Sequence, residues 1–149
     1  MASDLQARIR AAIDRDEAVV RWQQAIRIPS VTGEEAAFGA FAADELRRLG
    51  ATGVGSIDCV PGRPIVWGTR KGRGGGPRLL VVGHLDTVHV RGWAEHWAGD
   101  VREDPFSAAE VDGAIWGRGS GDLKAGISTG LSAIAALDRA GIALRGDVS

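Results

Sequence analysis

The chain has 149 residues, enough for one domain with its own core, and its 44% apolar and 25% charged residues are those of an ordinary globular protein. With 18 basic against 19 acidic residues and a net charge of −1, it lacks the concentrated positive charge of a general nucleic-acid or anionic-membrane surface. Its one cysteine, Cys59, excludes an intrachain disulfide and a cysteine-based zinc knuckle, and no apolar run approaches the roughly 20 residues of a membrane span.

The N-terminus carries charge early and has no continuous apolar stretch, so it does not read as a secretory signal and the cytoplasm is the expected location. Ser3 is placed to cap a first helix. Leu5, Ile9 and Ile13 recur at spacings of four, and Val20, Trp22 and Ile26 carry the pattern on toward Pro29, which forces Ile28 into extended geometry and ends the helix. Thr32-Gly33-Glu34-Glu35 has the form of a capping box, with the Thr32 hydroxyl and Glu35 carboxylate each satisfying a backbone amide. Phe38, Phe41, Ala42, Leu46 and Leu49 make one face of the helix behind it, and Gly50 stops it.

After Gly50 the period shortens. A weak strand around Val54, Ile57 and Val60 precedes better ones at Pro64–Thr69 and Arg78–Gly83. The run Leu79-Leu80-Val81-Val82 is continuous enough to be buried on both faces. Between these two strands, Lys71 to Pro77 is rich in glycine but is followed by a strand and by no Lys-Ser or Lys-Thr. It therefore reads as a connection and not as a phosphate loop. Asp112-Gly113 signals a two-residue hairpin joining Ala109–Val111 to Ala114–Gly117. A last helix is predicted from about Leu123 to Arg139, facing Ile127, Leu131, Ile134 and Leu137 inward and ending at Gly141. Strands alternating with helices indicate an α/β sandwich.

Two segments can carry chemistry. In the first, a strand ends at Gly83, and His84 and Asp86 emerge at its carboxyl end, where open α/β sheets place ligands. Residues i and i+2 of an extended segment share a side, so His84 can offer one ring nitrogen to a metal while Asp86 holds the ring from behind. By itself the triplet better describes a structural histidine at a strand end. In the second segment, Gly117, Gly119 and Gly121 let the backbone pass close to another group before Asp122, which is either the cap of the next helix or a metal ligand.

Taken together and in order, His84-x-Asp86-Thr87-Val88, Trp97, Asp104-Pro105-Phe106, Asp112-Gly113 and Gly117-Arg118-Gly119-x-x-Asp122-x-Lys124 resemble a family of zinc-dependent amidohydrolases and exopeptidases. Its members include acetylornithine deacetylase, succinyl-diaminopimelate desuccinylase, aminoacylase and carboxypeptidase G. Ile28-Pro29-Ser30-Val31-Thr32-Gly33 is similar to its N-terminal signature, and the resemblance covers nearly the whole chain. His89 stands where proline is usual, and Leu123 and Ala125 replace frequent Met and Gly, differences that bear on subfamily.

The resemblance implies a three-layer α/β sandwich with a central mixed sheet flanked by helices. It implies that residues 1–149 form the N-terminal part of the catalytic domain, without the lid through which relatives often dimerise and without the C-terminal part. It makes His84 a terminal ligand of one metal, Asp122 the carboxylate bridging two, and Asp86 the catalytic-site residue that orients His84. Two zinc ions are implied per complete site; cobalt or manganese also suit such donors. The implied reaction is hydrolysis of amide bonds in acylated amino acids or small peptides by a metal-activated water. The general base and remaining ligands lie outside this chain, so the chain alone is expected to bind zinc weakly and to be inactive. Lys124 is assigned to local structure, and His89 and His96 to loops. A second reading is a non-catalytic remnant serving as a binding or assembly module.

Overall fold

The computed structural model describes residues 2–149, with side chains from Asp4 onward; the first helix already begins at Ala2, so Ser3 lies within it and is not its expected cap. The first helical pattern forms two helices, α1 (Ala2–Ala11) and α2 (Arg15–Arg27), and not the one expected. The cause is Asp14, whose carboxylate accepts the Glu17 amide at 2.9 Å and starts a new helix in the middle of the apolar pattern. Ile28 is extended (φ −97°, ψ 107°), as the following Pro29 requires.

α3 (Ala36–Arg48) buries Phe38 and Ala42 on the predicted face, and its C-cap Leu49 is buried with them. It ends in a Schellman arrangement, with the Gly50 amide on Arg47 O and the Ala51 amide on Leu46 O, both at 2.9 Å. Its start differs from the capping box. Glu35 is the cap residue and makes no side-chain cap bond; its carboxylate takes the Gly33 amide (3.0 Å) and Arg63 Nε (2.9 Å). The Thr32 hydroxyl is directed elsewhere, to Asp86.

β1 (Thr52–Val60) and β2 (Arg63–Thr69) form an antiparallel hairpin, and so do β3 (Ala109–Val111) and β4 (Ala114–Trp116) across Asp112-Gly113, with the one-turn helix α4 (Trp93–His96) between the two hairpins in the chain. The remaining sheet contacts are single bridges: Val148 pairs antiparallel with Arg70 and parallel with Leu79, and Val31 pairs parallel with Thr87. The glycine-rich connection lies against this last segment so closely that a Cβ on Gly146 would stand 1.7 Å from Pro77 O. The Gly72 amide and Lys71 ammonium both bind the Asp147 carboxylate.

Parallel and antiparallel bridges together make the arrangement mixed α/β, as expected. The expected strand Arg78–Gly83 is reduced to a single bridge at Leu79, and the Leu79–Val82 run is buried on neither face: Leu79 and Val81 are more than half exposed, Leu80 is 67% and Val82 79% exposed. Leu79, Val81 and Leu85 line a cavity of about 330 Å³ toward Leu46, Ile127 and Leu131, and the described residues place no strand against the run except the chain's last three residues.

The helices are joined by a buried ion cluster. Arg21, 2% exposed, donates to Glu45 (2.7 Å), Glu17 (2.5 Å) and Ser132 (2.6 Å), tying α2 to α3 and to α5 (Ala125–Arg139). Arg48 completes the pairing of Glu45 at 2.8 and 2.9 Å. Beside it Leu49, Leu131 and Ala135 form the apolar core with Leu46, Ile127 and Ile134. Burial works to raise the Glu45 carboxyl, but the hydrogen bonds from Arg48 and Arg21 outweigh it and hold the group below its ordinary value. A depressed carboxyl stabilises the fold fully above its unfolded value near 4.5 and loses that stabilisation as pH falls through the lower folded value. Urea midpoints should therefore hold from pH 7 down to about 5 and fall progressively below that.

Candidate metal centre

Three chain segments converge on one cleft. The Ile28–Gly33 loop runs beside residues 86–88 through a parallel bridge between Val31 and Thr87, with Thr32 N on Thr87 O at 3.0 Å and Thr87 N on Ser30 O at 2.8 Å. The third segment is the wide turn Ser120–Lys124, in which Asp122 (φ −125°, ψ 96°) and Leu123 leave helical geometry before α5 begins. Gly119 makes the approach possible: it has φ 79°, and a Cβ there would lie 2.5 Å from Thr87 Cγ2.

The structure brings His84, Asp86 and Asp122 together. His84 Nε2 lies 2.9 Å from Asp122 Oδ1. His84 Nδ1 faces Asp86, 2.9 Å from its carbonyl oxygen and 3.1 Å from Oδ1. The Asp86 carboxylate is held in turn by the Thr32 hydroxyl at 2.9 Å, with Arg63 Nη2 at 3.8 Å. Asp122 makes no cap bond to α5, so the capping alternative is not the one adopted. Thr32 is the residue that sequence reasoning missed. A hydroxyl three residues before a glutamate reads locally as a cap, and nothing in the spacing points to a partner 54 residues away.

The hydrogen bond from the His84 ring to the Asp122 carboxylate is the main influence raising the His84 pKa above its ordinary value, with Asp86 adding to it and burial opposing. The Thr32 hydroxyl leads in lowering the Asp86 carboxyl, against a smaller opposing effect of burial. In donor chemistry the pair fits a metal such as zinc: an imidazole nitrogen and a carboxylate oxygen converge, and a carboxylate backs the ring. In number it falls short, since among the described residues no group of three or more His, Cys, Asp or Glu side chains could hold an ion, and zinc takes about three to four protein ligands.

Lys124 is 1% exposed; its ammonium donates to Ile28 O at 2.5 Å and sits 4.6 Å from the Phe38 ring centroid. Burial pushes its pKa down to about 8, and its contacts pin the Ile28–Gly33 loop to the wide turn. His89 binds only the Arg91 amide, and His96 packs edge-on against Trp97, so neither joins His84 and Asp122. The cleft encloses about 350 Å³, lined by His84, Asp86, Trp93, Trp116, Arg118 and Asp122 among others.

Comparison with known proteins gives this geometry a context. A succinyl-diaminopimelate desuccinylase of Methylorubrum extorquens is 40% identical over 119 residues, a match covering 78% of this chain and 30% of that protein. An N-formyl-4-amino-5-aminomethyl-2-methylpyrimidine deformylase of Bacillus subtilis is 36% identical over 93 residues, 61% of this chain and 21% of that protein. The crystal structure of human carnosine dipeptidase 1 superimposes with a TM-score of 0.75 at 26% identity, covering 97% of this chain and 33% of that one. The chain thus spans about a third or less of the length of these relatives. Residues 80–149, which contain His84, Asp86 and Asp122, match the model of peptidase family M20/M25/M40, and the chain belongs to that family.

Proposed function

We propose that this chain is the N-terminal part of the catalytic domain of a metal-dependent hydrolase that cleaves amide bonds in N-acyl amino acids or small peptides. The observation that carries the proposal is the 2.9 Å approach of His84 Nε2 to Asp122 Oδ1, with Asp86 behind the ring. Family membership and the names of the desuccinylase and dipeptidase relatives support the reaction class. The small share of each relative that the chain spans, together with the exposed Leu79–Val82 run, supports a longer catalytic unit that covers this run and supplies further ligands and the general base. A cytoplasmic location and pairing through a lid belong to the same proposal.

His84 and Asp122 would hold metal, zinc by preference, and Asp122 would be shared between two ions. Bound metal supplies an activated water and polarises the scissile carbonyl. The work of this chain is positional. Asp86 fixes which His84 nitrogen carries the proton and which faces Asp122, and Thr32 holds Asp86 in place for that task. Trp93 and Trp116 wall the cleft.

The test is to strip metal from the full-length protein, return zinc, cobalt or manganese, and assay N-succinyl and N-acetyl amino acids and dipeptides. Hydrolysis lost on stripping and regained with metal is the expected result; metal-independent turnover, or none with any of these substrates, would sink the reading. The 149-residue chain by itself is expected to bind zinc weakly and hydrolyse none of them. Asp86→Asn should lower zinc affinity of the full-length protein by about 10- to 100-fold, measured by competition with a chromogenic chelator. An unchanged affinity would mean that the carbonyl of Asp86 orients the ring without its carboxylate.

A further inference from the structure

Arg118 takes no part in the His84–Asp122 centre. It lies in the same cleft as His84 and Asp122, and its Nε is buried without a hydrogen-bond partner. Arg63 and Arg102 each hold a carboxylate, whereas Arg118 holds none among the described residues. Its guanidinium carbon stands 4.9 Å from the centroid of the Trp93 ring. That ring is itself fixed, because Trp93 Nε1 donates to Arg102 O at 2.8 Å while the Arg102 guanidinium covers Trp97 at 3.8 Å. The Arg118 backbone is anchored too, its amide bonding Pro105 O at 2.6 Å.

An arginine held against an aromatic face, with its donors unspent and in a cleft, is prepared for an anion. Of the side chains lining the cleft, Arg118 is the permanent cation, and the carboxylates of Asp86 and Asp122 line it as well. One guanidinium fork matches a planar carboxylate, while a phosphate dianion would meet two like charges and one compensating one. We propose that Arg118 is the specificity-determining residue of the cleft and binds a carboxylate of the substrate. The hydrolase reading enters only in saying that this carboxylate belongs to a substrate. It can belong to the acyl part or to the amino-acid part of an N-acyl amino acid.

The test is equilibrium binding to the full-length protein without added metal, followed by isothermal titration and by the Trp93 indole N–H resonance. Succinamate carries the carboxylate on the acyl side, N-acetylglycine on the amino-acid side, and N-acetylglycinamide is neutral. At least one carboxylate probe is expected to bind about tenfold or more tightly than the neutral amide, a preference that Arg118→Met removes and Arg118→Lys restores in part. The carboxylate probe that loses affinity identifies the side of the substrate. Equal binding of the neutral and charged probes by the unmodified protein would overturn the proposal without any variant. So would a carboxylate preference that survives Arg118→Met, or tighter binding of inorganic phosphate. If Arg118→Met does not fold, the Lys variant and the unmodified protein decide. Because binding requires no turnover, failure of the hydrolase reading would appear as intact carboxylate preference without hydrolysis. Failure of the Arg118 assignment would appear as hydrolysis without the preference.

Discussion

Asp122→Ala in the full-length protein is expected to lower amide hydrolysis by at least about a thousandfold while leaving the thermal midpoint nearly unchanged. The carboxylate is 86% exposed on its side chain and makes one polar contact, to His84 Nε2 at 2.9 Å, so its removal takes little from the fold. What it removes is the proposed shared ligand. Metal assistance is worth several kcal/mol of transition-state stabilisation, and each 1.36 kcal/mol is about tenfold in rate. Asp122→Asn sharpens the test, because it keeps the shape and loses the charge that a bridging ligand needs. Initial rates at saturating zinc, with bound metal counted by elemental analysis, decide the matter. Activity within tenfold of the unmodified protein would make Asp122 a mere partner of the histidine.

The second large effect concerns the fold. Arg21→Met should cost about 3–5 kcal/mol of unfolding free energy, since it leaves the buried Glu45 short of a partner and Ser132 without its donor, while Glu17 keeps Arg139 and the more distant Arg48. Arg48 remains on Glu45 and places the expected cost toward the lower end of that range. Urea titration measures it, and the double variant Arg21→Met with Glu45→Leu should recover much of the loss by removing the stranded charge. A cost near zero would mean that water replaces Arg21 in the cluster.

These two residues differ in how far the sequence exposes them. Asp122 and His84 stand out because each has a local signature: a histidine two residues from an aspartate after an apolar run, and an aspartate after three glycines in five residues. Arg21 has none. On a helix with Glu17 four residues before it, it reads as an ordinary surface i,i+4 pair, and only the packing of α3 and α5 buries it. Arg118 was legible as part of a motif, but the Trp93 platform that gives it a task lies 25 residues away and is set by the fold.

Local chemistry also settled the hairpin at Asp112-Gly113 and the ends of α2 and α3, where Pro29 and Gly50 act on their immediate neighbours. It did not settle cases in which one group has two possible partners. Asp14 divided an apolar pattern that looked continuous, because one cap bond outweighs a periodicity with little to bury. Thr32 could cap its own helix or cross to Asp86, and the parallel bridge at Val31 and Thr87 decided for the second. Leu79–Val82 has the composition of a doubly covered strand, yet composition states only what a strand can bury, and cover depends on the neighbours that the rest of the fold supplies. The sequence by itself pointed to the family, α3, strands β1 to β4, the body of α5 and three residues for a candidate centre, because spacing along a strand or turn is a local property. It did not foresee that Arg78–Gly83 would stay unpaired but for Leu79 or that a wide turn would delay α5 to Ala125. Tertiary structure alone decided the orientation of His84, the burial of Arg21 and the partner of Thr32, because each depends on segments distant in the chain meeting at about 3 Å.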